Sequence, residues 1–144
     1  LNEAFFTAMR NAKCNYTCGS KLLFPIRKFF EIPASGSLLV CDPCNGFEDL
    51  GFADGVNSII SLPEDLPDLS VKLFSDLEYV QTLATEGQKL ILNSHSLSVR
   101  AEQFSQAIQR GIKGDYQGAY WKNGEMIFNS QNSDISDVVV QGVA

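Results

Sequence analysis

Positive charge is scarce in this chain. Its 11 lysines and arginines face 17 acids, a formal net charge of −6, and no basic patch outweighs the acids, which argues against a general nucleic-acid binder. No apolar run approaches the ~20 residues that a membrane helix needs, and no charged-then-apolar leader marks it for secretion. Internal repeats and low-complexity segments are absent. Four cysteines, Cys14, Cys18, Cys41 and Cys44, all fall in the first third. Without a secretory signal, a cytoplasmic location with reduced thiols is the expectation. Residue 1 is a leucine and no strand precedes the first helix, so a fragment or clipped product is expected.

What is present is enough for one domain: 144 residues, 44% of them hydrophobic, able to bury roughly 70% of the unfolded surface. The cations are scattered apart from Lys21, Arg27 and Lys28, a local cluster that suits a small anionic ligand better than a polyanion. That cluster opens the stretch PIRKFFEIPASGSLLVCD, residues 25–42, around which the rest is organised. It reads as a turn, a short helix carrying Arg27, Lys28 and Glu31, a stop at Gly36, and an apolar strand from Leu38 to Cys41: one αβ half-unit of a parallel sheet. A helix N-terminus presents unpaired N–H groups and about half a positive charge, so it favours phosphate. Arg27 and Lys28 add full charges there, and Glu31 can accept hydrogen bonds from sugar hydroxyls. The plainer reading is a surface helix whose charges are solvated.

Along the chain, residues 1–12 put Leu1, Phe5, Ala8 and Met9 on one helical face. KCNYTCG (13–19) reads as a strand entering a loop; its Asn15-Tyr16-Thr17 sequon carries no information in a buried strand. Pro25 suits a first helical position, whereas Pro33 should leave the helix short or kinked near Ile32. A glycine- and aspartate-rich loop follows, then a third strand in VNSIISL (56–62). Ser75-Asp-Leu-Glu78 reads as a capping box, with Leu77, Val80, Leu83, Ala84, Leu90 and Ile91 at helical spacing and Gly87 costing about 1 kcal/mol against alanine. A last helix places Leu97, Ala101, Phe104, Ile108 and Ile112 inward and ends at Gly111 or Gly114. Asn123-Gly124 between two short β-like runs signals a hairpin, and SDVVVQGV suggests a further strand. The expected fold is α/β: three parallel strands with helices on both faces, a partial Rossmann-like doubly wound sheet over residues 1–114, and a hairpin tail over 115–144. Ligands of such sheets bind beyond the carboxyl ends of the strands, at the loops 19–26, 42–51 and 62–66.

Other constellations have plainer readings. Cys41-Asp-Pro-Cys44 follows a strand and invites a redox reading, and Cys14 with Cys18 would complete a four-thiolate zinc site, but buried small hydrophobes account for all four. His95, the one histidine, lies at a helix–helix junction, where capping or packing suits it better than general base catalysis. Glu48, Asp49 and Asp54 fit a solvated acidic loop better than a catalytic one. Tyr120, Trp121, Met126 and Phe128 read as hairpin packing, with an exposed partner-binding strip as the alternative.

IRKFFEIPASGSLLVCD, GFADGVNSIIS and EGQKLILNSHSLSVRAEQF, taken together over roughly residues 13–112, resemble the C-terminal, donor-binding domain of GT-B glycosyltransferases. The branch is the group 1 type found in spore-maturation glycosyltransferase-like proteins. The matching positions are Arg27, Glu31, Gly36, Leu38 to Cys41, Glu48, Gly55, Ser58 to Ser61, and His95 with Arg100. The resemblance implies a nucleotide-sugar site with no cofactor and no metal. Glu31 would hold the donor ribose, the helix start at Ile26, Arg27 and Lys28 would lie against the diphosphate, and the loop Gly19 to Phe24, with Gly19 and Ser20 shaping it, would face the transferred sugar. A diphosphate asks for cations at a helix N-terminus and a ribose diol for a bidentate carboxylate. The chain departs from the family at Leu23, where many retaining members carry a glutamate. The family's leaving-group Arg and Lys, and its N-terminal acceptor-binding domain, would lie upstream of Leu1.

Two functions therefore stand as expectations. One is a glycosyltransferase donor domain, acting on an unknown acceptor in glycan or cell-surface polysaccharide synthesis and transferring little or nothing as an isolated chain. The other is a non-catalytic α/β interaction module that uses its hairpin tail for association, with a homo-oligomer among its possible assemblies.

Overall fold

The computed structural model describes residues 2–129. Its elements run α1 (Asn2–Asn11), β1 (Cys14–Thr17), α2 (Lys28–Ala34), β2 (Leu38–Cys41), β3 (Ile59–Ile60), a 3₁₀ turn (Pro63–Asp65), α3 (Leu66–Ser75), α4 (Leu77–Leu90), a π-helical turn (Ile91–His95), α5 (Leu97–Lys113), β4 (Ala119–Lys122) and β5 (Glu125–Phe128). The architecture is mixed α/β, with a three-stranded parallel sheet in the order β1-β2-β3 and a separate antiparallel β4-β5 hairpin. The strand expected in SDVVVQGV lies outside the described residues.

The centre of the sheet is β2. All four of its residues are buried, as expected for an apolar run without alternation, whose two faces must both be covered. Leu39 and Cys41 join one core with Met9, Phe29, Ile32, Phe47, Phe52 and Ile91. Leu38 and Val40 join the other, with Leu73, Val80, Leu83 and Ala84. Helix α2 and the 42–58 loop thus cover one face, and α3 with α4 the other. The Phe29, Phe47 and Phe52 rings meet at centroid distances of 5.1–6.5 Å, within the range of favourable aromatic pairs.

Four local expectations are corrected. The third strand is only Ile59–Ile60. Before it, Asn57 takes the Ala53 N–H at 2.8 Å and donates to the Gly51 carbonyl at 2.9 Å, holding the chain in a turn by side chain–backbone bonds that compete with a ladder. Helix α2 begins at Lys28, three residues beyond Pro25; it has 7 residues, short as expected from Pro33, which sits next to its last residue, Ala34. The cap of α4 is Asp76, which accepts the Tyr79 N–H at 2.9 Å; the Ser75 hydroxyl instead donates to the Lys72 carbonyl. Finally, α5 buries none of its residues. Leu97, Phe104, Ile108 and Ile112, expected inward, face solvent, while the opposite side of the helix meets the hairpin, with the Arg110 guanidinium 5.1 Å above the Phe128 ring.

The hairpin turns at Asn123 and Gly124, both left-handed with φ 51° and 82°, the pair that a tight two-residue connection requires. Gly124 N–H donates to the Asp49 carbonyl at 2.9 Å, pinning the turn to the 42–58 loop. There its backbone lies so close to Gly51 that a Cβ on Gly51 would sit 2.8 Å from the Gly124 Cα.

Candidate functional site

The candidate site lies at the carboxyl ends of β1 and β2, where the turn leading from β1 to α2 meets the loop leaving β2. Gly19, buried, donates its N–H to Asp42 Oδ1 at 2.6 Å. A Cβ at Gly19 would come within 3.0 Å of the Cys44 Cβ and 3.1 Å of the Phe24 nitrogen, so only glycine lets the two loops touch here. Asp42 escaped the reading of the sequence; the signal was an aspartate directly after the strand run LLVC. Asn45 N–H donates to the Leu23 carbonyl at 2.7 Å, a second stitch between the loops. Ser20 is exposed with φ 61° and accepts the Leu22 N–H on its own hydroxyl at 3.4 Å.

Ile26 is half-buried against the core and precedes the helix, its carbonyl accepting the Phe29 N–H at 2.9 Å. Arg27 stands at the cap position and Lys28 is the first helical residue. One turn on, Glu31 Oε1 accepts from Arg27 Nε at 2.8 Å; the Glu31 side chain is only 16% exposed, the Arg27 side chain 83%. The second carboxylate oxygen, Oε2, is buried and has no hydrogen-bond partner. Buried polar atoms are almost always paired, so Oε2 is an acceptor left waiting. The Lys28 ammonium lies over the Phe5 ring, 5.7 Å from its centroid. The structure thus brings Arg27 and Glu31 into contact and joins Gly19 to Asp42. No hydrogen bond or ion pair among the described residues links Gly19 or Ser20 to the Arg27–Glu31 pair.

Two concavities lie elsewhere. One of about 500 Å³ runs between α5 and the hairpin, lined among others by Glu102, Gln106, Met126 and Phe128, and Gln103 at its wall has a buried, unpartnered Oε1. The other, of about 320 Å³, lies beside Ser61, Asp65 and Lys72.

The remaining candidates have structural work. Burial pushes the Cys41 thiol up to about 12, helped by its neighbour Cys44, and burial likewise pushes Cys44 up to about 11. Both stay protonated near neutral pH, which makes them poor nucleophiles. Cys14 is half-buried, its thiol also raised by burial. Cys18, expected inside a buried strand, is exposed beyond the end of β1. No group of three His, Cys, Asp or Glu side chains is placed to share a metal among the described residues. Asn15 spends its amide on the Met9 carbonyl at 3.1 Å and the Ser37 hydroxyl at 2.7 Å, tying α1 and β2 to β1. Glu48 and Asp49 are exposed, as is Asp54, whose Oδ1 accepts the Ile60 N–H at 2.8 Å.

His95 is 9% exposed. Its Nε2 donates to the Leu50 carbonyl at 2.8 Å, and its Nδ1 accepts from the Arg100 guanidinium at 3.0 Å. Arg100 in turn sits 4.1 Å above the Trp121 ring. The histidine therefore joins the 42–58 loop, α5 and the hairpin, and its ring packs edge-on against Phe30 of α2 at 5.2 Å, a packing role; no hydrogen bond among the described residues ties it to Arg27 or Glu31. No helix among the described residues is long and apolar enough to cross a membrane. Comparison with family models, curated proteins and solved structures found no match to this chain.

Proposed function

We propose that this chain is the donor-binding part of a GT-B glycosyltransferase, with a partial Rossmann-like sheet, that takes a sugar nucleotide at the carboxyl ends of β1 and β2. The observation that carries the reading is Glu31: a largely buried carboxylate at the start of α2, with Oε1 on an exposed arginine and Oε2 without a partner. A ribose hydroxyl would supply the one donor that Oε2 lacks, and a second would replace Arg27 on Oε1, once the side chain turns its buried oxygen outward. Arg27 is the natural gate. Its ion pair with Glu31 is an i,i+4 contact with an exposed cation, so the guanidinium can swing to a diphosphate provided that the ribose hydroxyls take its place on the carboxylate, which would otherwise be left a buried, unpaired charge. Lys28 adds a second cation beside it, while Gly19 and Ser20 shape the turn facing the sugar. The chemistry needed is electrostatic stabilisation of the leaving diphosphate and positioning of the acceptor, and an acceptor-binding domain would be the partner for the second task.

Titration with UDP and GDP tests this. Binding is expected, and Glu31→Ala should weaken it by roughly 1–3 kcal/mol, as for a lost charged hydrogen bond. The competing reading, a non-catalytic interaction module, draws on α5, whose Leu97, Phe104 and Ile112 are 87%, 68% and 82% exposed. Absence of nucleotide binding at millimolar concentration would favour that module.

A further inference from the structure

Residues 4–30 contain five cations and no acid, a charge of +5 in a chain whose total is −6, so the rest carries −11. Within this segment, the turn between β1 and α2 holds three successive apolar side chains in solvent: Leu22, Leu23 and Phe24 are 81%, 50% and 60% exposed. The turn is built rather than frayed. Phe24 N–H donates to the Gly19 carbonyl at 2.9 Å, the Leu23 carbonyl accepts from Asn45, and Pro25 beneath is buried. Leu23 is kept at φ 48°, a backbone state that leucine disfavours and that persists only where its surroundings impose it. In the sequence Lys21 precedes this apolar knuckle and Lys28 follows it on α2, where its ammonium lies over the exposed Phe5 ring.

An apolar knuckle between cations gains nothing from water. An anionic bilayer interface satisfies both parts, because apolar side chains enter the headgroup–acyl boundary while ammonium groups meet lipid phosphates. We propose that this turn docks the chain on an anionic membrane surface, with Leu22, Leu23 and Phe24 inserted and Lys21 on the headgroups. The acidic remainder is repelled by the same surface and so orients the chain. A nucleic acid fits less well, since a flexible polyanion would also meet that −11. The inference goes beyond the donor-site reading and does not rest on it.

Flotation of the chain with phosphatidylcholine vesicles, with and without phosphatidylglycerol, tests the proposal. Partitioning is expected onto the mixed vesicles, weakening at high salt and nearly absent on phosphatidylcholine alone. Lys21→Glu should lower it at least about fivefold, the effect of one basic residue at such a surface. The double variant Leu22→Ser/Phe24→Ser should lower it more than ~tenfold, with an unchanged circular-dichroism spectrum because both side chains are exposed. Equal partitioning onto the two vesicle types overturns the proposal, as does full binding by the double variant. Binding of a single-stranded oligonucleotide in preference to vesicles, untouched by the apolar pair, also overturns it in favour of a polyanion surface. UDP titration of the same samples keeps the two readings apart: vesicle binding without nucleotide binding sinks the donor site alone, and the reverse sinks the membrane surface alone.

Discussion

Strand β2 and helix α5 are both rich in apolar side chains, yet they meet opposite fates. Every residue of β2 is buried, whereas none of the seventeen of α5 is. The difference lies in what faces each element. The β2 run Leu-Leu-Val-Cys has neighbours above and below, because the chain returns over it twice, through α2 and through α3 with α4. The stripe Leu97, Ala101, Phe104, Ile108 and Ile112 is as regular, but helix α5 turns its other side to the hairpin. Periodicity reveals that a face is apolar; it does not reveal that anything covers it.

The largest expected effect lies on the β2 side. Phe52 is 1% exposed, stacked on Phe47 at 5.1 Å and edge-on to Phe29 at 6.5 Å. Phe52→Ala should cost about 3–5 kcal/mol in chemical denaturation, the transfer loss plus the cavity left behind. Phe104→Ser on α5 should stay within about 0.5 kcal/mol, since the ring is 68% exposed. A Phe104→Ser loss comparable with that of Phe52→Ala would break the comparison, and would mean that the α5 stripe is covered in solution.

A smaller effect of opposite sign sharpens it. In a free helix, Gly→Ala gains about 1 kcal/mol. Nothing lies within 4 Å of the Cβ that Gly111 of α5 would acquire, but at Gly87 of α4 the new atom would sit 2.7 Å from the Asn57 carbonyl oxygen and 3.3 Å from the Pro33 Cβ. Gly111→Ala should therefore raise the melting temperature, while Gly87→Ala should lower it by the equivalent of about 1–3 kcal/mol. Gly87 is the point where α4 approaches the turn before β3, and equal shifts for both variants would contradict that close approach.

The same contrast measures how much was legible. The αβ half-unit from Lys28 to Cys41, the parallel pairing and the Asn123-Gly124 hairpin are local matters of propensity and turn chemistry, and the residues carry them openly. Gly87 looked like a flaw in a helix because its reason, Asn57, is thirty residues away. The shortening of β3 depended on where the Asn57 amide would bond, a choice made by the folded loop. At the candidate site, the types and spacing of Arg27 and Glu31 were readable, but two features were not: their closure on each other, and the buried Oε2. Asp42 was passed over for a similar reason, because its partner is a backbone N–H 23 residues away.

The smallest expected effect concerns the joint between the two halves, at His95. The Leu50 carbonyl can only accept, so Nε2 carries the ring proton, and Nδ1 must present a lone pair to the Arg100 guanidinium. A second proton on Nδ1 would set an N–H against the arginine's own. Burial lowers the His95 pKa below its ordinary 6.5, the nearby Arg100 charge lowers it further, and the Leu50 bond opposes both without prevailing. As pH falls, the unfolded chain takes up this proton first. The stabilising contribution is thus complete above about pH 6.5 and is lost as pH drops through the folded-state value. Thermal melts should show stability declining from pH 7.5 to 5.5, and His95→Gln should remove part of that slope at the cost of some stability at pH 7.5. Trp121, the sole tryptophan, lies 5.0 Å from the imidazole centroid and offers a local reading. Its fluorescence should change with the same titration, below 6.5, in the native chain and stay flat in His95→Gln. A Trp121 signal that follows pH identically in both would place the acid sensitivity elsewhere than at the His95 imidazole.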